Sequence, residues 1–278
     1  MSISDKAFLV SLSISQWQAR KLDKRVTSDV AIQHGVHTTA GRYNKVLLPA
    51  TDLLNRIHAK TSVMRKWFYT NTLPWGIEGT QLLPSYNLMT FRSEYAQHKA
   101  EWESVVRVFV AEYPRLVGEA KKNLNGMFNT SDYPDQSEIA SKFSIDIALL
   151  PVPNTDFRVS VADEELEEMK NELEGRLKNA QDVAMAEVKN RLYERVETVA
   201  EKLADPTNIF KDSLIGNVVE TCDLIKRLNF TDDPDLEAIR LEVENTIGKC
   251  NPDVLRLDPI YREQTCTMAK MILHSLKA

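Results

Sequence analysis

The sequence predicts a mainly α-helical protein of the α+β class, with long antiparallel helices, a small antiparallel β-sheet and an elongated shape. Residues 163–204 contain no proline and a single glycine, and their apolar residues recur at steps of three and four, which is a helical period. A second stretch with helical spacing covers residues 87–125. Three short segments alternate apolar with polar residues, as half-buried strands do, at 8–14, 143–149 and 157–161.

The first half of the chain begins with the strand predicted at 8–14. A charged turn at 20–25 follows it, and then a short helix and loop within residues 26–45. A helix is predicted from about Ala50 to Trp67. Residues 71–84 hold two prolines and two glycines, which predicts a loop.

The next elements predicted are a long helix and two strands. Ser85 is a candidate N-cap for the helix at 87–125, and Pro114 predicts a kink or division of that helix near Tyr113. A short helix at 136–141 precedes the strands at 143–149 and 157–161. We expect both strands to join the strand at 8–14 in one antiparallel sheet.

The helix predicted at 163–204 would be about 60 Å long at ~1.5 Å per residue. Its apolar steps average about 3.7 residues, whereas a left-handed coiled coil needs about 3.5. We therefore expect it to pack on the helix at 87–125, with a coiled-coil dimer as the alternative. Prolines separate shorter helices predicted at 207–228, 235–249 and 259–276. Two domains are predicted, 1–162 and 163–278.

Composition is that of an ordinary folded protein, with 43% hydrophobic and 27% charged residues among 278. No apolar run approaches the ~18 residues that a membrane-spanning helix needs, so we expect no membrane association. The N-terminal residues alternate apolar with serine and do not resemble a signal peptide, so a cytoplasmic location is expected. Three cysteines without close pairing predict buried free thiols.

The net charge of −5 conceals an asymmetry along the chain. Residues 1–72 carry 11 Lys and Arg against 4 Asp and Glu, whereas residues 151–278 carry 17 against 26. One interpretation is self-complementarity, in which the basic end docks on the acidic helices of the same chain or of a neighbouring copy. The other is a basic surface for nucleic acid or for an acidic partner. The candidate nucleic-acid contacts are Arg20, Lys21, Lys24, Arg25, Arg42, Lys45, Arg65 and Lys66.

Signatures of catalysis, cofactor binding and metal binding are absent from the sequence. There is no Gly-rich phosphate loop, no dinucleotide-binding motif and no nucleophile elbow. His34 and His37 have a ligand-like spacing, but no cysteine or carboxylate cluster accompanies them, which favours a surface loop. We therefore expect no enzymatic activity, no cofactor and no metal.

The candidates for partner binding are aromatic, basic and apolar residues in predicted loops: Arg42, Tyr43, Trp75 and Ile77. Such residues in exposed loops are typical of interaction hot spots. Trp75 has a second interpretation, in which its indole fills the core beside the sheet or helices. Trp67, Phe68 and Tyr69 follow two basic residues and could stack on single-stranded nucleic acid, although a helix end favours a core anchor.

A family resemblance covers nearly the whole chain. It is carried by LVSLSISQWQARKLD at 9–23, GRYNK at 41–45, NTLPW at 71–75 and LLP at 82–84. Further motifs are LNGMFN at 124–129, DYP at 132–134, LLPVPNTDFRV at 149–159 and DPTNIFKDSL at 205–214. These segments resemble an uncharacterised family of bacterial and phage proteins, a domain of unknown function. The motifs consist of turns and strand edges, so they indicate kinship and no chemistry.

Members of the family are encoded near MoxR-type AAA+ ATPases, von Willebrand A proteins and recombination genes. The resemblance therefore implies a non-enzymatic adaptor of a phage or mobile element that works with such an ATPase and a von Willebrand A partner. The alternative is a nucleic-acid-binding or anti-nuclease protein that assists DNA processing. Homo-oligomers are compatible with either function.

Overall fold

The computed structural model of the chain describes residues 3–154 and 163–277, and it is mainly helical with a small antiparallel sheet. The helices are α1 Ile3–Lys6, α2 Lys24–Gln33, α3 Leu53–Thr70, α4 Leu88–Leu124, α5 Asp163–Ala204, α6 Ser213–Leu228, α7 Pro234–Asn245, α8 Pro252–Leu257 and α9 Pro259–Lys277. The strands are β1 Ala7–Ser15, β2 Arg20–Leu22, β3 Asn44–Val46, β4 Leu73–Pro74, β5 Thr80–Pro84 and β6 Ser144–Pro151. The elongated shape stays a prediction.

The chain divides into two units, each assembled from separate stretches of sequence. Unit 1 contains residues 1–11, 67–92 and 148–278, and unit 2 contains residues 12–66 and 93–147. The domain boundary drawn from the sequence, between residues 162 and 163, lies beside residues outside the described ranges and stays a prediction. The division in the structure instead falls within β1, α3, α4 and β6.

The core of unit 1 is built along α5. The apolar stripe that predicted this helix is buried from Leu177 to Leu203, and Val188, Leu192 and Val196 are fully buried within it. The stripe packs mainly on α9 and α6. The expected packing on the helix at 87–125 is therefore not confirmed. The helix bounds agree with the prediction because the period has no interruption between Asp163 and the Asp205-Pro206 break.

The sheet has the strand order β4-β5-β1-β6. β1 pairs antiparallel with β5, from Ala7 opposite Pro84 to Ser11 opposite Thr80, and β4 completes a hairpin with β5. The loop predicted for 71–84 is thus wrong in part, because the glycines form the hairpin turn while the residues on each side pair. Gly76 and Gly79 have φ of 86° and 76°, which glycine adopts without strain. The strand predicted at 157–161 lies outside the described residues.

Helix α4 runs from Leu88 to Leu124 with Pro114 inside it, so the helix is not divided there, and the alternative of a kink stays a prediction. Pro114 lies on the exposed side, while Tyr113 and Leu116 are buried in unit 2. Their packing outweighs the hydrogen bond that proline removes. Ser85 is not confirmed as the N-cap, because a 3₁₀ turn at Ser85–Asn87 precedes α4 and has no side-chain cap.

The C-terminal helices begin at Asx-Pro pairs. Asp233 and Asn251 accept backbone N–H groups at the starts of α7 and α8, and Asp258 does so at the start of α9. In each case proline is the first helical residue, where its missing N–H costs nothing. Helix α8 was not predicted, although Asn251-Pro252 carries this signal. Helix α6 begins at Ser213, six residues later than predicted.

Candidate protein-interaction site

The four partner-binding candidates line two clefts, one in each unit. Arg42 and Tyr43 line a cleft of about 300 Å³ in unit 2, which we call the α2 cleft. Its other lining residues come from α2 and the loop after it: Thr27, Val30, Ala31, His34, Val36, His37, Ala40 and Gly41. Trp75 and Ile77 line a cleft of about 470 Å³ in unit 1, the Trp75 cleft, with Leu173, Arg176, Leu177 and Val183.

The backbone on both sides of the α2 cleft is held by hydrogen bonds. The Asp23 carboxylate caps α2 by accepting the Val26 N–H at 3.1 Å, and the Asp23 N–H donates to the Tyr43 carbonyl at 2.9 Å. The Tyr43 N–H donates to the Thr27 hydroxyl at 3.1 Å, and that hydroxyl donates to the Asp23 carbonyl. These bonds join the start of α2 to Tyr43, 16 residues or more away in the chain, and so fix the cleft's two walls.

The wall formed by α2 presents Thr27, Val30, Ala31 and His34, a spacing of three and four that puts them on one helix face. Val30 is 44% exposed and Val36 is 49% exposed, so the apolar lining is open to solvent. Ala31, which is also a lining residue, is buried. The cleft thus combines an aliphatic lining with polar residues at its edge.

Lys45 is buried, which removes it from the basic surface that the sequence suggested. Its ammonium group lies 2.8 Å from the Asp132 carboxylate and 3.9 Å from that of Asp23, and it donates to the Met127 carbonyl at 2.7 Å. Lys21, directly opposite in the β2–β3 ladder, is exposed. Lys45 therefore holds the segment that carries Tyr43 and leaves no free charge for a phosphate.

The other basic candidates are exposed: Arg20, Lys21, Lys24, Arg25, Arg42, Arg65 and Lys66. None of them pairs with a carboxylate within the described part of the chain. Unit 2 carries 16 Lys and Arg against 12 Asp and Glu, whereas unit 1 carries 19 against 28. The positive charge therefore belongs to unit 2.

Trp75 and Ile77 differ in burial although they line one cleft. Trp75 is 8% exposed and belongs to the unit 1 core with Leu73 and Leu82. Ile77 is 62% exposed at the turn between β4 and β5. The core interpretation of Trp75 thus fits the structure, and Ile77 is the surface residue of the pair.

The aromatic run at the end of α3 is also mainly core. The Trp67 ring stacks on Phe91 at 4.7 Å between centroids, and Phe68 is fully buried. Tyr69 is exposed. Two of the three rings are thus occupied by packing and offer no surface for a nucleic-acid base.

Three further exposed apolar residues of unit 1 were not predicted from the sequence. Ile209 is 93% exposed, and Leu257 and Ile260 are also exposed. The loop that carries Ile209 is held by Arg256 and Arg262, whose guanidinium groups lie 5.2 and 5.3 Å from the Phe210 ring centre. The sequence signal for Ile209 was an isoleucine that follows Pro206 and Asn208 in a loop, outside any helical period. That signal is weak.

Residues 3–154 and 163–277 contain no group of three His, Cys, Asp or Glu side chains placed to hold a metal ion. The three cysteines are buried and free, and burial raises the pKa of the Cys222 thiol to about 11, which keeps it protonated. His34 and His37 are exposed at the α2 cleft. Within the described ranges, no helix has the length and apolar character needed to cross a membrane.

Comparisons with protein-family models, with curated proteins and with solved structures found no match to this chain. The family resemblance and the partners it implies therefore stay predictions. What the structure contributes is the α2 cleft, with its fixed walls, apolar lining and nearby cations.

Proposed function

We propose that this chain is a non-enzymatic interaction protein whose unit 2 binds a protein partner at the α2 cleft. The observation that supports this most directly is the open apolar lining around Val30 and Val36, between walls that hydrogen bonds hold in place. Pre-formed apolar recesses allow a partner side chain to be buried without the entropic cost of ordering a loop. Arg42 and Tyr43, at the edge of this cleft, are residue types enriched in binding hot spots.

A protein ligand fits the lining better than a nucleic acid. Val30, Ala31, Val36 and Ala40 are small aliphatic residues that complement an apolar side chain. Nucleic-acid bases bind instead on flat aromatic surfaces or through hydrogen bonds to their edges. Among the lining residues Tyr43 alone has a large aromatic ring, so a track of stacked bases has no support in this cleft.

The family resemblance extends this proposal to the identity of the partner. On that basis the chain is an adaptor of a phage or mobile element, acting in the bacterial cytoplasm with a MoxR-type AAA+ ATPase and a von Willebrand A protein. The α2 cleft is the surface that we assign to this contact.

Co-purification of the tagged chain with the ATPase and the von Willebrand A protein tests the proposal. Val30→Asp places a charge in the cleft and should abolish capture. Val63→Asp is the matched control, because Val63 is 48% exposed on α3 of the same unit and lies outside the lining residues. Both variants should retain the wild-type melting temperature. Equal capture by wild type and Val30→Asp would remove the cleft from the proposal.

The second candidate function is nucleic-acid binding or DNA-processing assistance. The observation that favours it is the set of exposed cations without carboxylate partners in the described ranges, above all Arg20, Lys21, Lys24 and Arg25. Cations close together along a chain provide the charge that phosphate groups require.

A further inference from the structure

We infer that the α2 cleft receives the acidic first part of α5 from a second copy of this chain, so that copies join head to tail. The inference rests on the proposed function, because it names an occupant for the same cleft. A foreign partner would then compete with the second copy for one site.

The cleft side of this contact is positive. Residues 24–46 contain Lys24, Arg25, Arg42 and Lys45 against the single acid Asp29. Lys45 is paired and buried, and Arg25 does not share the helix face of Thr27 and Val30, so Lys24 and Arg42 are the exposed cations on the cleft side. Lys24 lies one helical turn before Thr27, on the face of α2 that lines the cleft. An acidic ligand is therefore favoured at this edge.

The helix side is negative and carries an apolar stripe that its own unit does not fully cover. Residues 165–174 contain five glutamates and one lysine. Of the glutamates, Glu165, Glu168 and Glu174 have no cationic partner among the described residues. The buried stripe of α5 continues toward the N-terminus as Leu173 and Met169, and Met169 is 42% exposed.

The two surfaces have matching form as well as matching charge. An amphipathic helix binds a groove through apolar side chains spaced three or four apart, with charged residues beside them. The cleft, at about 300 Å³, is at the small end of binding-pocket volumes, which suits one anchoring side chain such as Met169. Both surfaces are open to solvent in a single copy.

In this head-to-tail arrangement the interface is heterologous, so every dimer keeps one unoccupied cleft and one unoccupied helix. Further copies can then add at both ends, giving a ring or an open chain. Attraction between exposed charges is screened by salt, so self-association should weaken as the salt concentration rises.

Sedimentation equilibrium of the whole chain tests the inference. Wild type should exceed the monomer mass of 31.7 kDa with rising concentration at ~50 mM salt, and less so at ~500 mM. Val30→Asp and Met169→Asp should each weaken self-association by roughly tenfold or more. The controls Val63→Asp and Met271→Asp change exposed apolar residues elsewhere and should behave as wild type.

Mixing the two inactive variants makes the test specific. Val30→Asp retains an intact α5, and Met169→Asp retains an intact cleft, so the mixture should form a one-to-one dimer and nothing larger. If Val30→Asp fails to fold, as circular dichroism would reveal, the exposed Arg42→Glu takes its place. No dimer in the mixture, or wild type that stays monomeric at every concentration, would overturn the inference.

These outcomes also separate the inference from the proposed function. Suppose that wild type is monomeric and captures the foreign partner, whereas Val30→Asp does not capture it. The second copy is then rejected as the occupant of the cleft, and the cleft remains the docking site for the foreign partner. If Val30→Asp matches wild type in both self-association and capture, neither the second copy nor the foreign partner binds at the cleft.

Discussion

Arg262 shows how a single side chain holds the end of the longest helix. It is buried and donates to the carbonyl groups of Leu203, Lys202, Asp205 and Asn208, at 2.5 to 3.2 Å. Arg191 does the same for α3, donating to the carbonyls of Tyr69, Thr70 and Thr72. The last carbonyl groups of a helix have no hydrogen-bond donor within the helix, so each arginine side chain supplies donors to them.

Trp75 and Ile77 should respond to truncation in opposite ways. We expect Trp75→Ala to cost about 3–5 kcal/mol of unfolding free energy, because the indole is buried in the unit 1 core. Ile77→Ala removes exposed atoms and should stay within about 0.5 kcal/mol of wild type. Urea denaturation of both variants measures this. A Trp75→Ala variant as stable as wild type would show that the indole is not a core residue.

Lys45 and Lys21 form a second contrasting pair. Lys45→Met should destabilise the protein by about 3–5 kcal/mol, because it leaves the Asp132 carboxylate buried without its cation. Lys21→Met, opposite in the ladder but exposed, should cost less than about 0.5 kcal/mol. Thermal unfolding of the two variants compares them. Similar melting temperatures for both would contradict the structural role of Lys45.

At the scale of the element, α7 is held by charge pairs along one face. Arg240 is buried and donates to Glu237 at 2.7 and 2.8 Å and to Glu244 at 2.6 Å. The hydrogen bonds from Arg240 lower the pKa of Glu237 below its usual value. A carboxyl group whose pKa is lower in the folded state stabilises the protein above its unfolded pKa.

Glu237→Gln should therefore reduce stability at neutral pH and have no such effect in acid. The contribution of Glu237 is complete above its unfolded pKa of about 4.3 and is lost as pH falls through the folded value. Its side chain is partly exposed, so the difference at pH 7 should be small, about 0.5 kcal/mol. Denaturant titrations of both proteins from pH 7 to pH 3 give the profile. A difference that grows toward pH 3 would contradict this sign.

At the scale of the whole molecule, charge is segregated between the units, with the excess of acid in unit 1 and of base in unit 2. A net charge of −5 disfavours nucleic acid over most of the surface, whereas the cations of residues 20–25 favour it locally. The nucleic-acid candidate therefore requires DNA binding that weakens as the salt concentration rises, whereas the interaction-protein candidate requires no DNA binding.

Gel-shift titration at two salt concentrations distinguishes the candidates. If residues 20–25 contact DNA, four phosphate contacts give a log–log salt slope of about −3, and reversing Lys21, Lys24 and Arg25 to Glu flattens it. Under the interaction-protein proposal we expect no binding at ~150 mM salt by wild type or by the triple variant. Tight binding of DNA by wild type at that salt concentration would make nucleic-acid binding the favoured function.

Local sequence pattern was enough to predict the longest helix and the first strand. The period of α5 runs unbroken from Asp163 to Ala204, and the alternation at 8–14 corresponds to β1 at Ala7–Ser15. Both signals depend on residues that are neighbours in the chain, so they can be recognised without knowledge of the fold. Of the candidate site, the loop residues Arg42 and Tyr43 were found because their types are common at interfaces.

Only the tertiary structure decided which residues share a surface. Val30 and Val36 form no distinctive sequence pattern. They line the cleft because the Tyr43 N–H donates a hydrogen bond to the Thr27 hydroxyl and so holds the two walls together. Lys45 resembles any surface lysine in sequence, yet its two nearest partners are Met127 and Asp132, more than 80 residues away. Short-range periodicity reports the face of one element, whereas burial and ion pairing depend on which distant segments pack against it.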